Sequence, residues 1–391
     1  MALSDPLHIV VNKNTPYVVQ AFSRLGKVTA VDTPEVTPEV VRDADLLVVR
    51  SETKVDRRLL DNSRVRFVGT VTIGTDHVDL EYLSKRGIVF ASAPGSNANS
   101  VAEYVAAALL RWSVRKQRPL SGLKLGVVGV GNVGSKVVRV AQALGMTVLQ
   151  NDPPRARAIR DPVFVPLDAL MECDVITLHV PLTRVGRDPT FHLFDESRFR
   201  KMKRSSILLN TARGAVVETR ALTGALRDGH VSDAILDVWE NEPAIDLELL
   251  SRVSLATPHI AGHSLDGKVN AVQMIYEAAC RFVGLSDAFD AHACMPEPEN
   301  PLVQCPSGSD PAVVLDRIVS QCYDIARDDR NVRQLSKLAA PDRGVHFMRL
   351  RAEYRVRYEF PHYSVSAPPA AQPLVPVLRN LGFKVRRPTN P

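Results

Sequence analysis

Three polar side chains that each follow an apolar, strand-like run have the chemistry to oxidise an alcohol. These side chains belong to Arg213, Glu242 and His259. Removing a hydride from an alcohol requires a base for the hydroxyl proton, and histidine titrates closest to neutral pH. A carboxylate behind the imidazole would orient the ring and favour its protonated form, and a guanidinium would bind a substrate carboxylate through two hydrogen bonds. We therefore predict these three residues as a catalytic set.

A glycine-rich turn predicts a dinucleotide site. The run GVGNVG at 129–134 follows an apolar strand and begins a helix. Gly129 permits the tight turn, Gly131 lets the backbone approach a pyrophosphate, and Gly134 allows the helix to pack closely on the strand. The free amides at the start of the helix would bind that anion.

An acid at the end of the next predicted strand indicates which dinucleotide binds. Asp152 would accept hydrogen bonds from ribose hydroxyls, and its charge would repel a 2′-phosphate. The sequence therefore predicts NAD rather than NADP. Arg155 and Arg157 follow shortly afterwards and weaken that preference, because a nearby arginine can accommodate the 2′-phosphate.

The spacing of apolar runs predicts the elements that position these groups. Short β-rich runs alternate with helical patterns, which indicates an α/β fold with parallel sheets. A first series has predicted strands at 8–11, 46–50, 65–71 and 88–91, and predicted helices at 15–25, 39–43 and 78–86. A second series has six predicted strands, the number in a complete doubly wound nucleotide-binding domain, at 124–130, 147–151, 175–179, 206–210, 233–237 and 253–256. Between the two series, Ser100 and Glu103 predict a capping box that begins a long helix.

We expect two Rossmann-like doubly wound parallel-sheet domains with a cleft between them, and a smaller α+β domain at the C-terminus. A helix predicted at 266–285 would cross back to the first series, and a stretch rich in proline at 290–311 is predicted as a linker. The predicted domains are a substrate-binding (lid) domain at 1–100 and 259–285, an NAD-binding domain at 101–258, and a linker with a C-terminal domain at 286–391.

The composition excludes several classes of protein. The 391 residues are 45% hydrophobic and 24% charged, values that disordered, collagen-like and disulfide-scaffold chains do not have. No apolar run approaches the roughly 18 residues of a membrane-spanning helix, and the first ten residues lack the features of a secretion signal. Five cysteines without ligand spacing indicate reduced thiols. We expect a cytoplasmic protein with no membrane partner.

The net charge of +6 lies in the last part of the chain. Residues 341–391 contain nine Lys or Arg and three acids, which accounts for the whole excess. Alternating arginines, at 349, 351, 355 and 357, are typical of a solvated strand or helix face. Neither an aromatic stacking platform nor zinc-finger spacing accompanies them, so we expect no nucleic-acid partner.

Taken together, these motifs resemble the D-isomer-specific 2-hydroxyacid dehydrogenases. The resemblance is strongest over 65–284 and rests on the glycine run and on the segments 210–217, 237–243 and 257–262. It implies NAD as cofactor and the trio Arg213, Glu242 and His259 as catalytic residues, with His259 exchanging the proton. Further stretches, at 49–51, 69–79, 152–155, 323–329 and 381–383, extend the resemblance over nearly the whole chain. They are similar to family members that oxidise 4-phospho-D-erythronate in vitamin B6 biosynthesis and that form homodimers through the C-terminal domain.

The resemblance also implies contacts at individual positions. Ser51, Thr72 and His263 would contact the substrate. The implied contacts to NAD are Gly129, Gly131, Asn132, Val133, Gly134, Asp152, Val180, Thr211, Ala212, Arg213, Asp237 and Gly262. Two positions depart from the family pattern, because His263 stands where a tyrosine is usual and Val180 where a threonine would bond the cofactor.

Several alternatives remain open at the level of sequence. The trio recognises any 2-hydroxy acid, so a phosphoglycerate, glycerate or hydroxypyruvate dehydrogenase fits it equally, and a non-catalytic dinucleotide-sensing module uses the same fold. Arg50 and Lys54 flank Ser51 and are either phosphate partners or solvated surface. The run DHVD at 76–79 has metal-ligand residue types, but the start of a helix explains it better, and no metal is expected.

Overall fold

The computed structural model describes residues 6–308 and 310–386. Its strands, in chain order, are β1 Leu7–Asn12, β2 Gly26–Val31, β3 Leu46–Val49, β4 Phe67–Thr70, β5 Val89–Ala91, β6 Lys124–Val128, β7 Thr147–Asn151, β8 Val175–Leu178, β9 Ser206–Asn210, β10 Val231–Leu236, β11 Leu255–Ala256, β12 Leu302–Gln304, β13 Ser364–Ser366 and β14 Lys384–Arg386. Its α-helices are α1 Val18–Phe22, α2 Pro38–Val41, α3 Arg57–Leu60, α4 Leu80–Lys85, α5 Ala98–Lys116, α6 Asn132–Ala143, α7 Pro153–Ile159, α8 Glu196–Lys201, α9 Thr219–Arg227, α10 Leu247–Arg252, α11 Leu265–Val283, α12 Pro311–Cys322, α13 Ile325–Arg333, α14 Ala340–Ala352 and α15 Val375–Leu381.

The described chain divides into two compact units. The first comprises the residues up to Asn97 together with Ser264–Glu297, and the second comprises Ala98–His263 together with the residues from Pro298 onward. His259, which the predicted boundaries assign to the lid domain, therefore lies in the second unit. The segment predicted as a linker with a separate C-terminal domain also belongs to this second unit from Pro298 onward, whereas its residues up to Glu297 belong to the first unit.

The first unit is built on a five-stranded parallel sheet with the order β2-β1-β3-β4-β5. Apolar clusters cover both faces of this sheet, which explains why its central strands are continuous apolar runs. Helix α11 packs so closely on β4 that a Cβ atom at Gly69 would lie 2.3 Å from the side chain of Ile275. Strand β2 was not predicted, because its residues are mostly half-exposed at the sheet edge and do not form an apolar run.

The second unit contains the predicted six-stranded parallel sheet, with the order β11-β10-β9-β8-β6-β7. Strand order reverses at β6, which has β7 on one side and β8 on the other. Ligands of open α/β sheets bind at the carboxyl ends of the strands near such a switch point. The loops after β6, β9, β10 and β11 all leave that edge of the sheet, and they carry the predicted functional residues.

The predicted capping box is wrong. Helix α5 begins at Ala98, so Ser100 lies inside the helix rather than at its N-cap. The Ser100 hydroxyl donates to Oε1 of Glu359 at 2.7 Å, and Glu103 accepts the backbone N–H of Phe360 at 2.7 Å. Contacts with residues 298–386, called the C-terminal segment below, thus replace the local cap.

The C-terminal region contains more regular secondary structure than the sequence predicted. The predicted linker at 290–311 contains β12, which joins a parallel sheet with the order β12-β13-β14. The arginines near the end do not form one solvated face. Arg357 is only 3% exposed, and Arg355 pairs with the buried carboxylate of Asp328.

Two further observations concern the described residues of both units. All five cysteines are free thiols, and Cys173 and Cys280 are buried. Within the part of the chain that the structure describes, no helix combines the length and hydropathy that crossing a bilayer requires.

Candidate active site

The glycine loop has the geometry of a dinucleotide cradle. Gly129 has φ +85°, and a Cβ atom there would lie 2.7 Å from the carbonyl oxygen of His179. A Cβ atom at Gly134 would lie 2.0 Å from the carbonyl oxygen of Gly129, so only glycine allows the helix to approach the strand this closely. A Cβ atom at Gly131 would meet nothing within 4 Å, which leaves the backbone open to a ligand. The residues present therefore fit a bound pyrophosphate at the start of α6.

Asp152 ties the end of β7 to the glycine loop. Its Oδ2 accepts the backbone N–H of Val130 at 2.8 Å, and its Oδ1 accepts the N–H of Arg155 at 3.0 Å as the cap of α7. The side chain of Arg155 donates to the carbonyl of Val130 and lies 5.7 Å from the ring of Phe164. Arg157 pairs with Asp188. Both guanidinium groups that weakened the preference for NAD therefore have partners within the protein.

His179 lies at the end of β8, where its carbonyl oxygen faces Gly129. Its ring nitrogens hydrogen-bond the hydroxyls of Thr177 at 2.9 Å and Thr211 at 3.2 Å. Desolvation in the protein interior lowers the pKa of His179 to about 3, so the ring is neutral. Val180 also faces the loop, because a Cβ atom at Gly129 would lie 2.8 Å from its side chain. The predicted cofactor contacts of Val180 and Thr211 stay predictions.

The loop after β9 places Arg213. The side chain of Asn210 braces this loop by donating to the Arg213 carbonyl at 3.0 Å and accepting the N–H of Ala212 at 3.0 Å. The loop contacts the next one directly, since a Cβ atom at Gly214 would lie 2.0 Å from the carbonyl of Trp239. This close approach brings the backbone of the Arg213 loop against the loop that carries Glu242.

Glu242 and His259 form a short hydrogen bond. The distance from Nδ1 of His259 to Oε1 of Glu242 is 2.5 Å, and the two side chains are 28% and 24% exposed. Oε2 of Glu242 accepts the backbone N–H of Trp239 at 3.3 Å. This contact on Nδ1 leaves Nε2 as the nitrogen for exchange of a substrate proton. The structure thus brings the predicted pair together.

Opposing effects set the protonation of Glu242. Burial raises the pKa of this carboxyl, but the hydrogen bond and positive charge of His259 outweigh burial. The charge of Arg351 and the N–H of Trp239 act in the same direction, and the pKa falls below its usual value. Glu242 is therefore a carboxylate at neutral pH and can stabilise an imidazolium.

The backbone beside both members of the pair is strained. Asn241, next to Glu242, has φ +61°, and His259 has φ +58°. This left-handed region is uncommon for residues other than glycine and concentrates at functional sites. Hydrogen bonds from surrounding residues must therefore hold the Glu242 loop and the His259 loop in these conformations.

Asp237 supplies three of those hydrogen bonds. Its carboxylate accepts the hydroxyl of Thr257 at 2.6 Å and the backbone N–H groups of Ile260 at 2.8 Å and Ala261 at 2.9 Å. Burial raises the pKa of Asp237 in spite of these donors. Sequence reasoning predicted a cofactor contact here, which stays a prediction, and missed the role of Asp237 in fixing the His259 loop.

The C-terminal segment also reaches the site, and sequence reasoning missed this. Oδ1 of Asp329, on α13, accepts the backbone N–H of Ala256 at the end of β11 at 2.8 Å. The ring of Tyr354 contacts the ring of His263 edge-on at 5.8 Å. In the sequence, the run at 323–329 is distinguished only by its family resemblance. Because nothing local marks such long-range contacts, the available signal was that resemblance alone.

The predicted substrate residues Ser51 and Thr72 lie in the first unit. Ser51 is exposed after β3. The Thr72 hydroxyl donates to the carbonyl of Gly74 at 3.0 Å and lies 2.8 Å from the hydroxyl of Thr70. Thr70 in turn contacts Nε2 of His77 at 3.0 Å. These substrate contacts stay predictions.

Three other charged residues of the first unit, Arg50, Lys54 and Asp79, have partners within the protein. Arg50 lies 3.4 Å from Glu52, and Lys54 lies 3.3 Å from Asp56. Asp79 caps α4, which confirms the helix start predicted at 76–79. Among residues 6–308 and 310–386, no group of three or more His, Cys, Asp or Glu side chains is arranged to hold a metal ion.

Comparison with known proteins shows which proteins the chain is similar to. Residues 97–261 match the family described as D-isomer specific 2-hydroxyacid dehydrogenase, NAD binding domain, and residues 294–382 match a domain of unknown function, DUF3410. An erythronate-4-phosphate dehydrogenase of Marinobacter nauticus is 42% identical, covering 97% of this chain and 99% of that protein. An erythronate-4-phosphate dehydrogenase of Salinibacter ruber is 46% identical, covering 92% of this chain and 94% of that protein. The crystal structure of D-lactate dehydrogenase from Aquifex aeolicus with NAD and lactic acid has a TM-score of 0.58 and 28% identity, covering 71% of this chain and 95% of that one.

Proposed function

Since the chain belongs to the erythronate-4-phosphate dehydrogenase family of D-isomer-specific 2-hydroxyacid dehydrogenases, we propose that it oxidises 4-phospho-D-erythronate. The product is (R)-3-hydroxy-2-oxo-4-phosphooxybutanoate, an intermediate of pyridoxal 5′-phosphate biosynthesis. The observation that carries the reaction class is the 2.5 Å hydrogen bond between His259 and Glu242 at the strand-end edge that also carries Arg213.

NAD, held by the glycine cradle and Asp152, supplies the hydride acceptor when it is bound. The residues of the chain bind the substrate and take up the hydroxyl proton. Arg213 binds the substrate carboxylate and the C2 oxygen, which fixes the C2 hydrogen in one orientation. His259 takes the hydroxyl proton on Nε2, and Glu242 stabilises the imidazolium that forms. In the reverse direction the same imidazolium returns the proton to the C2 oxygen.

As the family resemblance implies, we propose substrate contacts for Ser51, for Thr72 and for His263. Hydroxyl groups and an imidazole can donate hydrogen bonds to a phosphate. His263 is half-buried and held edge-on by Tyr354. Since a histidine is shorter than the tyrosine usual in the family, its contact with the substrate would differ from that of the tyrosine.

The proposal is tested by following NADH formation with purified protein, NAD and a panel of 2-hydroxy acids. The panel pairs 4-phospho-D-erythronate with D-erythronate, D-3-phosphoglycerate and D-glycerate, and 2-oxo acids are added in parallel reactions in case the cofactor is recycled while bound. We expect kcat/KM to be highest for the phosphorylated four-carbon acid. Preference for another acid would move the enzyme to a different substrate, and no turnover with NAD still bound would favour a sensing module.

We also propose that the protein is a cytoplasmic homodimer formed through its C-terminal segment. The proposal is motivated by the family resemblance and predicts that pairing of two copies covers exposed apolar side chains of this segment, among them Leu302 (59% exposed), Val345 (71%) and Val356 (66%). The free thiols suit a reducing compartment. Light scattering should give twice the chain mass, and Val345→Lys with Val356→Lys should lower it. A monomeric wild-type protein would contradict the proposal.

A further inference from the structure

Two buried side chains of opposite charge hold the loop that carries His259. The carboxylate of Asp237 accepts the backbone N–H groups of Ile260 at 2.8 Å and Ala261 at 2.9 Å. Nη2 of Arg357, from the C-terminal segment, donates to the carbonyl of Ala261 at 2.8 Å. Both backbone polar groups of Ala261, two residues after the predicted base, are therefore bonded to charged side chains.

The guanidinium of Arg357 is fixed in the protein interior, where it is only 3% exposed. Its Nη2 also donates to the carbonyl of Ser100 at 3.2 Å. Its central carbon lies 4.4 Å from the centre of the Tyr323 ring, a distance at which a cation and an aromatic ring attract each other. Because Ser100 belongs to α5, Arg357 links this helix to the His259 loop.

The residues that follow Arg357 are anchored on the same helix. The carboxylate of Glu359 accepts the hydroxyl of Ser100 at 2.7 Å, and the backbone N–H of Phe360 donates to Glu103 at 2.7 Å. Helix α5 is nineteen residues long, and most of its side chains are buried. These contacts restrict the movement of the backbone that carries Arg357, so the guanidinium is a donor with a defined position.

The bonding of Arg357 is incomplete for a buried cation. Its Nε and Nη1 are buried and have no hydrogen-bond partner among residues 6–308 and 310–386. Buried polar groups without partners cost free energy, and a guanidinium has five N–H donors that could be used. This arrangement is therefore a poor source of stability. Its effect is to give the two carbonyl groups that Nη2 bonds a defined position.

We propose that Arg357 is a positioning residue, which holds the His259 loop in the conformation that proton transfer requires. The proposal rests on the function proposed above. His259 has φ +58°, a conformation that persists only when the surrounding structure imposes it. Its ring bonds Glu242 across 2.5 Å, so a small displacement of the loop would break the alignment of the pair. Arg357 thus acts through the backbone of the loop and not on the reacting atoms.

A second contact from the C-terminal segment lies on the other side of His259 in the chain. Oδ1 of Asp329 accepts the backbone N–H of Ala256, three residues before His259, at 2.8 Å. Arg357 bonds the carbonyl of Ala261, two residues after it. The C-terminal segment therefore fixes the chain both before and after the base, in addition to any role in assembly.

The test compares two replacements of Arg357 with a structural control. Arg357→Met removes the donor and the charge. Arg357→Lys keeps the charge, which the buried carboxylates of Glu103 and Glu359 attract, and should fold even if the methionine variant does not. Its ammonium group does not extend as far as Nη2, so the bonds to the two carbonyls are weakened.

The control is Arg111→Met. Arg111 also joins α5 to the C-terminal segment, but it does so through the side chains of Ser320 at 2.6 Å and Asp316 at 3.2 Å instead of the His259 loop. Replacing Arg111 therefore removes contacts between the same two elements without releasing the loop. Any effect of a looser C-terminal segment in general appears in this variant too.

The first readout is the rate of NADH formation at saturating NAD and 4-phospho-D-erythronate. A displacement of about 1 Å costs up to about 10²-fold in rate, so kcat of Arg357→Met should fall roughly 10- to 100-fold and that of Arg357→Lys roughly 3- to 10-fold. KM should change much less, and kcat of Arg111→Met should stay within about threefold. Wild-type kcat in a folded Arg357→Lys protein, or an equal loss in the control, would overturn the inference.

A second measurement does not depend on turnover. Backbone hydrogen exchange is followed by mass spectrometry in peptides that cover 257–263, where the N–H groups of Ile260 and Ala261 bond Asp237. In the Arg357 variants this peptide should exchange roughly tenfold faster, as expected when a hydrogen bond to a charged group is lost, while peptides from β6 and β8 exchange as in the wild type.

Unchanged exchange at 257–263, or faster exchange throughout the protein, would overturn the inference even if the enzyme is active. The first result would show that Arg357 does not hold the loop, and the second that it only stabilises the fold. If the wild type oxidises no acid, the proposed function fails, and the exchange measurement still tests whether Arg357 holds the His259 loop.

Discussion

Replacing Glu242 by glutamine is the most informative single perturbation of the site. The amide keeps the size of the side chain but removes the charge that faces Nδ1 of His259 across 2.5 Å. A hydrogen bond to a charged group contributes about 1.5–3 kcal/mol. At about 1.4 kcal/mol per factor of ten in rate, this corresponds to a loss of roughly 10- to 160-fold. A glutamine that donates to Nδ1 also favours the wrong tautomer, which extends the expected loss toward the roughly 10⁴-fold limit of acid–base catalysis.

The assay is the initial rate of NADH formation with saturating NAD and 4-phospho-D-erythronate. We expect kcat of Glu242→Gln to fall by between roughly 10-fold and 10⁴-fold, with a much smaller change in KM. Glu240→Gln is the matched control, because Glu240 bonds His192 at 2.6 Å instead of His259. Its kcat should stay within about threefold, as for a residue outside the chemistry. If Glu242→Gln retains wild-type kcat while the control behaves as expected, Glu242 has no place in the mechanism.

Three further predictions follow from the packing and the pKa shifts. Gly214→Ala should lower both kcat/KM and the urea midpoint, because its Cβ atom would lie 2.0 Å from Trp239, whereas Gly224→Ala has open space and should be neutral or stabilising by about 0.5–1 kcal/mol. Gly131→Ala should unfold like the wild type but bind NAD more weakly in calorimetry, and unchanged affinity would remove the pyrophosphate from this loop. His179 has its pKa lowered from 6.5 to about 3, so protons bind the unfolded chain as pH falls below 6.5. Stability should then drop by up to roughly 1.4 kcal/mol per pH unit from about pH 6.5 to 5, and a slope that is no flatter in His179→Gln would contradict this.

Patterns among neighbouring residues predicted the second sheet and the glycine loop, because both depend on residues that are close together in the sequence. The six strands of the second sheet were predicted because both faces of the sheet are covered, which makes the strands continuous apolar runs. The tight turn at Gly129 and the close helix packing at Gly134 depend on backbone geometry that only glycine permits, and the structure confirms both features. The proximity of Glu242 to His259 followed from the rule that strand ends share one edge of a sheet.

What the sequence could not predict depends on residues far apart in the chain. Ser100 resembles a helix cap locally, but its hydroxyl bonds Glu359, which is 259 residues away. Arg357 belongs to an alternating basic pattern, yet it is buried and donates to the carbonyls of Ser100 and Ala261. No local pattern distinguishes a solvated arginine from one that is buried by tertiary contacts, so the contribution of the C-terminal segment became visible only in the structure.

The most direct test of the central claim follows the hydrogen on C2. 4-Phospho-D-erythronate with deuterium at C2 is incubated with the protein and NAD, and the mass of the reduced cofactor is measured. Transfer of this hydrogen as hydride predicts that each NADH formed carries the deuterium, and that Glu242→Gln forms the same labelled product more slowly. Reduced cofactor without deuterium, or no reduced cofactor while NAD remains bound, would contradict the assignment of this chain as a 2-hydroxyacid dehydrogenase acting on that acid.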